Sequence, residues 1–125
     1  MNNHRKESRK KLMAFTPVYE LLHKTLLGYV GDLTLQGVMV IGEKPVEINK
    51  HLILGIEFPE SLPEMRATRV AISARVARCQ QEDNGKYFDI GFEFIEVSPE
   101  NTRVIEAILD RYQFRSVLNI SDLKS

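Results

Sequence analysis

The stretch Tyr87–Phe94 constrains the fold more than any other part of the chain. Phe88, Ile90, Phe92 and Phe94 alternate with Tyr87, Asp89, Gly91 and Glu93. Successive side chains of a strand point to opposite faces, so this period of two predicts a strand buried on one side and solvated on the other. Its apolar face has to be covered by further strands. Just upstream, Asn84-Gly85 is a hairpin signal, because both residues tolerate the positive φ of a type I′ turn. Before that turn, Val70, Ile72, Ala74 and Val76 share a face, until Arg78 stands where an apolar residue is due. The break predicts a bulge, or an arginine required on the inner or rim side.

The rest of the chain reads in the same way. Leu52, Leu54, Ile56 and Phe58 share a face, and Pro59 and Pro63 bracket the loop that follows. Phe15–Leu22 and Leu26–Leu33, separated by His23-Lys24-Thr25, read as a hairpin. Pro17 lacks an amide hydrogen, which suits an edge strand or the first residues into a sheet. Gly37–Ile41 follows a tight turn, and Gly42-Glu43-Lys44-Pro45 breaks the chain again. Beyond the last strand the period changes. Ser98 can cap a helix and Pro99 suits its first position. Val104, Ile105, Ile108, Leu109 and Tyr112 then form a stripe at helical spacing. Six strands and one helix in 125 residues predict a mainly β chain: a small antiparallel barrel with a C-terminal α-helix across or closing one end. The expected division is a flexible basic arm over 1–12, the barrel over 13–97, the helix over 98–115 and a weakly ordered tail over 116–125.

Charge narrows the range of partners. Seventeen Lys and Arg balance seventeen Asp and Glu, so no global field draws the protein to nucleic acid or a membrane surface. The imbalance is local: Arg5, Lys6, Arg9, Lys10 and Lys11 crowd the arm against Glu7 alone. Cys79 is the only cysteine, which excludes an internal disulfide and fits a reducing compartment. The N-terminus lacks the apolar stretch of a signal peptide. The least polar window, Thr25–Gly42, is interrupted by Asp32, Gln36 and glycines, against a membrane span. The expectation is a soluble cytoplasmic protein. Zincin, Cys-x-x-Cys, phosphate-loop and Gly-x-Ser-x-Gly signatures are missing, and His4, His23 and His51 have no ligand-like spacing, so no enzyme and no metal site is expected.

Two features suit an anionic ligand. Arg5 and Arg9 place two guanidinium forks four positions apart, each able to grip a phosphate or the acceptor edge of guanine. A solvated basic tail has the same composition. In Asp32-Leu33-Thr34-Leu35-Gln36-Gly37, the aspartate can accept from guanine N–H donors and Thr34 offers a hydroxyl. Gly37 lets the backbone turn sharply or come close to a ligand. An ordinary strand-ending turn is rich in the same residues. Lys6, Lys10, Arg75 and Arg78 are further candidates. Arg75 and Arg78 also suit ion pairs with Asp89 and Glu93 across the hairpin.

Taken together, Arg5-x-x-x-Arg9 followed one hairpin later by Asp32-x-Thr34-x-x-Gly37 resembles the PilZ family. Ser73–Arg78 and Tyr87–Phe94 are similar to that family's last long hairpin, and the resemblance covers residues 5–112. It implies a six-stranded barrel that binds the bacterial second messenger cyclic di-GMP. It further implies that Arg5 and Arg9 hold phosphates and a guanine edge, while Asp32, Thr34 and Gly37 receive a guanine base. Thr34 stands in place of the usual serine, Gln36 where a second glycine is frequent, and His4 and Lys6 flank Arg5 where another arginine is common. The implied output is a changed surface read by an unidentified downstream effector. The alternative is a PilZ-like adaptor that binds proteins and no nucleotide, through the helix face and the loop Pro59–Met65. DNA or RNA is not expected, because the best aromatic row belongs on the buried face beside Asp89 and Glu93.

Overall fold

The computed structural model describes residues 16–58, 69–83 and 85–110. The arm with Arg5, Lys6, Arg9 and Lys10, the loop Pro59–Met65, Asn84, Tyr112 and the tail 116–125 lie outside them. The strands are β1 (Pro17–Glu20), β2 (Thr25–Leu33), β3 (Gly37–Gly42), β4 (His51–Glu57), β5 (Arg69–Gln81) and β6 (Phe88–Glu96). They close into an antiparallel barrel in the order β1-β2-β3-β6-β5-β4. Helix α1 occupies residues 99–110. The mainly β barrel with a C-terminal helix expected from the alternation is the observed architecture.

Closure removes sheet edges. Pro17 is therefore no edge residue; it is the first residue of β1, ahead of the β4 pairing that starts at Val18 and Ile56. The strand expected over Phe15–Leu22 stops at Glu20. There the Glu20 carboxylate accepts the Leu22 and His23 amides at 2.8 and 3.1 Å. The Leu21 amide still donates to the Ile53 carbonyl at 2.9 Å, and a side chain that satisfies the two amides after it competes with the ladder and starts the turn.

Alternation is reproduced inside the barrel. Ile72, Ala74, Val76, Ile90, Phe92 and Phe94 are buried, together with Leu54, Ile56, Val38 and Val40 from the facing strands. Phe88, at the start of β6, is half-buried. The β5–β6 hairpin is longer than the two-residue turn expected from Asn84-Gly85. The Glu82 amide donates to the Tyr87 carbonyl, the Gly85 amide to the Glu82 carbonyl, and Gly85 adopts φ +75°.

Helix α1 starts as its sequence requires. The Asn101 amide donates to Ser98 Oγ at 3.1 Å, and the Thr102 amide to the Ser98 carbonyl at 2.9 Å. Asn101 Nδ2 ties the first turn to the Ala71 carbonyl of β5. Val104, Ile105 and Ile108 join the barrel's own core. The β2–β3 turn, the start of β1, the end of β6 and the start of α1 thus share one end of the barrel, the turn end.

Candidate ligand-binding site

Two bulges decide which charged side chains reach the outer face. In β2, Val30 pairs with Val40 and Asp32 with Met39, leaving Gly31 as the extra residue. Unbroken alternation would turn Asp32 inward with Val30 and leave Leu33 in solvent. The bulge reverses this: Leu33 is buried and Asp32 lies half-buried on the outer side. In β5, Val76 pairs with Phe92 and Arg78 with Gly91, leaving Ala77 extra. Val76 stays buried and Arg78 is exposed, so the break at Arg78 is a bulge and not an inward arginine.

Directly paired residues project to the same face. Asp32, Met39, Gly91 and Arg78 therefore form one row across β2, β3, β6 and β5. At 4.7–4.9 Å per strand the row spans about 14 Å. Tyr29, Ile41, Asp89 and Gln80 form the next row, and Gly37, Glu93, Arg75 and His51 the row on the other side. The result is a shelf with Met39, Ile41 and Gly91 as its floor. A Cβ added at Gly91 would meet nothing nearer than Arg78 Cβ at 3.6 Å, an ordinary contact. Neither packing nor φ requires this glycine, and its missing side chain leaves room for the Arg78 stem across the pair.

At the turn itself, most polar groups serve the turn. The Thr34 hydroxyl accepts the Gln36 and Gly37 amides at 3.1 and 3.2 Å and donates to the Gly37 carbonyl at 3.4 Å. Asp32 Oδ1 accepts the Leu33 amide at 3.0 Å. Gly37 is needed for close approach: a Cβ there would stand 2.2 Å from the Phe92 carbonyl oxygen.

The arginines of β5 differ. Arg75 bonds Glu93 at 2.7 Å, as expected, and also Asn49 Oδ1 at 2.8 Å. The other expected pairing, to Asp89, does not form with either arginine. Asp89 sits opposite Gln80, one row from Arg78. Arg78 makes no hydrogen bond or ion pair with a described residue; its stem lies over Gly91.

The point at which the chain from residue 16 onward meets the barrel is also defined. The Val30 amide donates to the Thr16 carbonyl at 2.9 Å, so the chain joins the barrel beside β2, two residues from Asp32. Seven steps separate Arg9 from Thr16. At 3.3–3.6 Å per residue they reach at most about 25 Å, beyond the far side of the shelf.

A groove of about 780 Å³ opens at the other end of the barrel, lined by Glu20, His23, Tyr29, Lys44, Lys50 and Tyr87 among others. It holds none of Asp32, Thr34 or Gly37, but touches the shelf through Tyr29 and Ile41. At its edge, burial disfavours the charged form of Glu20. Hydrogen bonds from the His23 side chain and the His23 and Leu22 amides outweigh that effect and hold its carboxyl below the ordinary range. Sequence reasoning named Asp32, Thr34, Gly37, Arg75 and Arg78. It placed Asp89 on the outer face of its strand but did not bring Tyr29 and Met39 to that face, because no local signal reports pairing between distant strands.

A closed six-stranded antiparallel barrel with a C-terminal helix packed into its core defines a small β-barrel domain. The PilZ domain family model matches residues 3–111. The chain belongs to the PilZ domain family. Among solved structures, it is similar to the Bacillus subtilis inhibitor of motility (MotI/DgrA), with 14% identity and a TM-score of 0.64 over 80% of this chain and 46% of that one. The chain thus spans about half the length of that protein. It is also similar to the PilZ domain of Escherichia coli YcgR, solved with c-di-GMP, with 15% identity and a TM-score of 0.57 over 86% of each chain. No curated protein matches the sequence. Among the described residues no helix is long and apolar enough to cross a membrane.

Proposed function

We propose that the chain is a receptor for cyclic di-GMP, acting without chemistry of its own, whose basic arm closes over the ligand at the turn end of the barrel. The observation that carries this reading is positional. The β2 bulge turns Asp32 outward beside the strand at which the arm carrying Arg5 and Arg9 joins the barrel. Asp32 accepts from a guanine, and Thr34 and Gly37 hold the turn against it. Arg5 and Arg9 take the phosphates and the guanine acceptor edge, with Lys6 and Lys10 adding local positive charge. Arg78 supplies a further cation from the sheet, whereas Arg75 is engaged by Glu93 and Asn49. The YcgR domain, solved with c-di-GMP, supports this ligand class.

The energetics are favourable for a short arm. Ordering residues 5–9 costs about 1–2 kcal/mol each in backbone entropy. Hydrogen bonds to charged groups contribute about 1.5–3 kcal/mol apiece, so two forked arginines and Asp32 offset that segment. The ordered arm presents a new surface, and a downstream protein that binds only this state reads the signal. The reading calls for a cytoplasmic protein, where such a messenger is met.

Calorimetric titration with cyclic di-GMP tests it. The wild-type chain binds, and Arg9→Ala and Asp32→Ala each weaken binding by about tenfold or more. Arg9→Lys also weakens it, because an ammonium lacks the fork. No heat and no spectral change at saturating ligand would reject the receptor reading; unchanged affinity in Arg9→Ala would reject the arm's role.

A further inference from the structure

One polar atom on the shelf is left over by the fold. Asp89 Oδ1 is buried, with no hydrogen-bond partner among the described residues. Buried polar atoms without partners are rare, and an unsatisfied carboxylate oxygen costs more than a neutral one. Its cross-strand neighbours are Ile41 on β3 and Gln80 on β5. Arg78, opposite Gly91, is its diagonal neighbour, about 7–8 Å away between Cα atoms, and is equally uncommitted. Among the described residues an anion and a cation thus stand on adjacent strands without partners, with the Arg78 stem lying over Gly91.

We infer that Asp89 and Arg78 form a guanine-reading subsite on the outer face of β5 and β6, with Asp89 as the specificity-determining residue. The inference rests on the receptor reading above and extends it to a second base. Guanine presents N–H donors on one edge and O6 and N7 acceptors on the other. The Asp89 oxygen accepts from the donors, and the Arg78 guanidinium donates to the acceptors. Adenine reverses the polarity at the six-position, so a carboxylate and an arginine together discriminate against it. Tyr87 and Tyr29, 38% and 44% exposed, offer ring faces for stacking on the same side of the sheet. Asp89 lies two strands and two residues from Asp32, roughly 12 Å between Cα atoms. The two acids therefore address two different bases, as the two guanines of a cyclic dinucleotide require.

The test is titration of the full chain and its Asp89→Asn and Asp89→Ala variants with cyclic di-GMP and with cyclic di-AMP, alongside thermal unfolding without ligand. Both variants are expected to bind cyclic di-GMP about ten- to hundredfold more weakly and to discriminate less against cyclic di-AMP. Their melting temperatures stay level or rise, because no partner within the described fold is lost. If the wild type binds cyclic di-GMP and both variants bind equally well, the subsite is refuted while the receptor survives. A lowered melting temperature with unchanged affinity assigns Asp89 to the fold alone and also refutes it. If the wild type binds neither dinucleotide, both readings fall together.

Discussion

Gly37→Ala separates two roles that one residue could hold. The Cβ it introduces would stand 2.2 Å from the Phe92 carbonyl oxygen, where real Cβ contacts are not found below 3.0 Å. The obstacle is backbone, so no rotamer change relieves it. β3 and β6 must part locally by at least the difference, 0.8 Å. A ladder bond of about 2.9 Å stretched by that amount passes beyond hydrogen-bonding distance. Loss of one or two such bonds, at about 0.5–1.5 kcal/mol each, gives a destabilisation of about 0.5–3 kcal/mol. Near 4 °C per kcal/mol for a domain of this size, the melting temperature falls by about 2–12 °C. Differential scanning calorimetry of the unliganded protein measures this directly. An unchanged melting temperature would refute the close-approach argument. If such a variant also lost cyclic di-GMP binding, Gly37 would be there for the ligand and not for the sheet.

Two further outcomes follow from the charged residues. Glu20 has its carboxyl held below the ordinary 4.5, so the folded chain binds that proton less readily than the unfolded one. Its contribution is complete above about pH 4.5 and is lost as pH falls through the lower folded value. The stability gap between wild type and Glu20→Gln should therefore close below pH 4.5 in denaturant titrations; a gap independent of pH would refute the assignment. Arg75 and Glu93 are 33% and 58% exposed at the side chain, so a double-mutant cycle should find only about 0.2–1 kcal/mol of coupling. That coupling should shrink in about 1 M salt, and a coupling above 2 kcal/mol would mean a pair far less solvated than it is here.

Much of the fold was legible because period-two alternation is a local property of the chain. Ile90, Phe92 and Phe94, and Ile72, Ala74 and Val76, are buried as their spacing demands. The start of α1 was legible for the same reason, since Ser98 and Pro99 act on amides within one turn. Of the candidate site, the turn Asp32–Gly37 and the irregularity at Arg78 could be read, because both interrupt a pattern. The strand end at Glu20 could not: its carboxylate acts on amides just as near, but glutamate is not among the residues that mark a turn in a sequence.

Sequence alone determined that the chain would alternate, where it would reverse, and that a helix would follow the last strand. Only the tertiary structure decided which residues become neighbours across strands. Nothing local places Asp32, Met39, Gly91 and Arg78 in one row, because register is set by pairing between segments distant in the chain. One extra residue in β2 and one in β5 each reverse the facing of all that follows. By that shift, two charged side chains due for the core stand instead on the surface where a ligand can reach them.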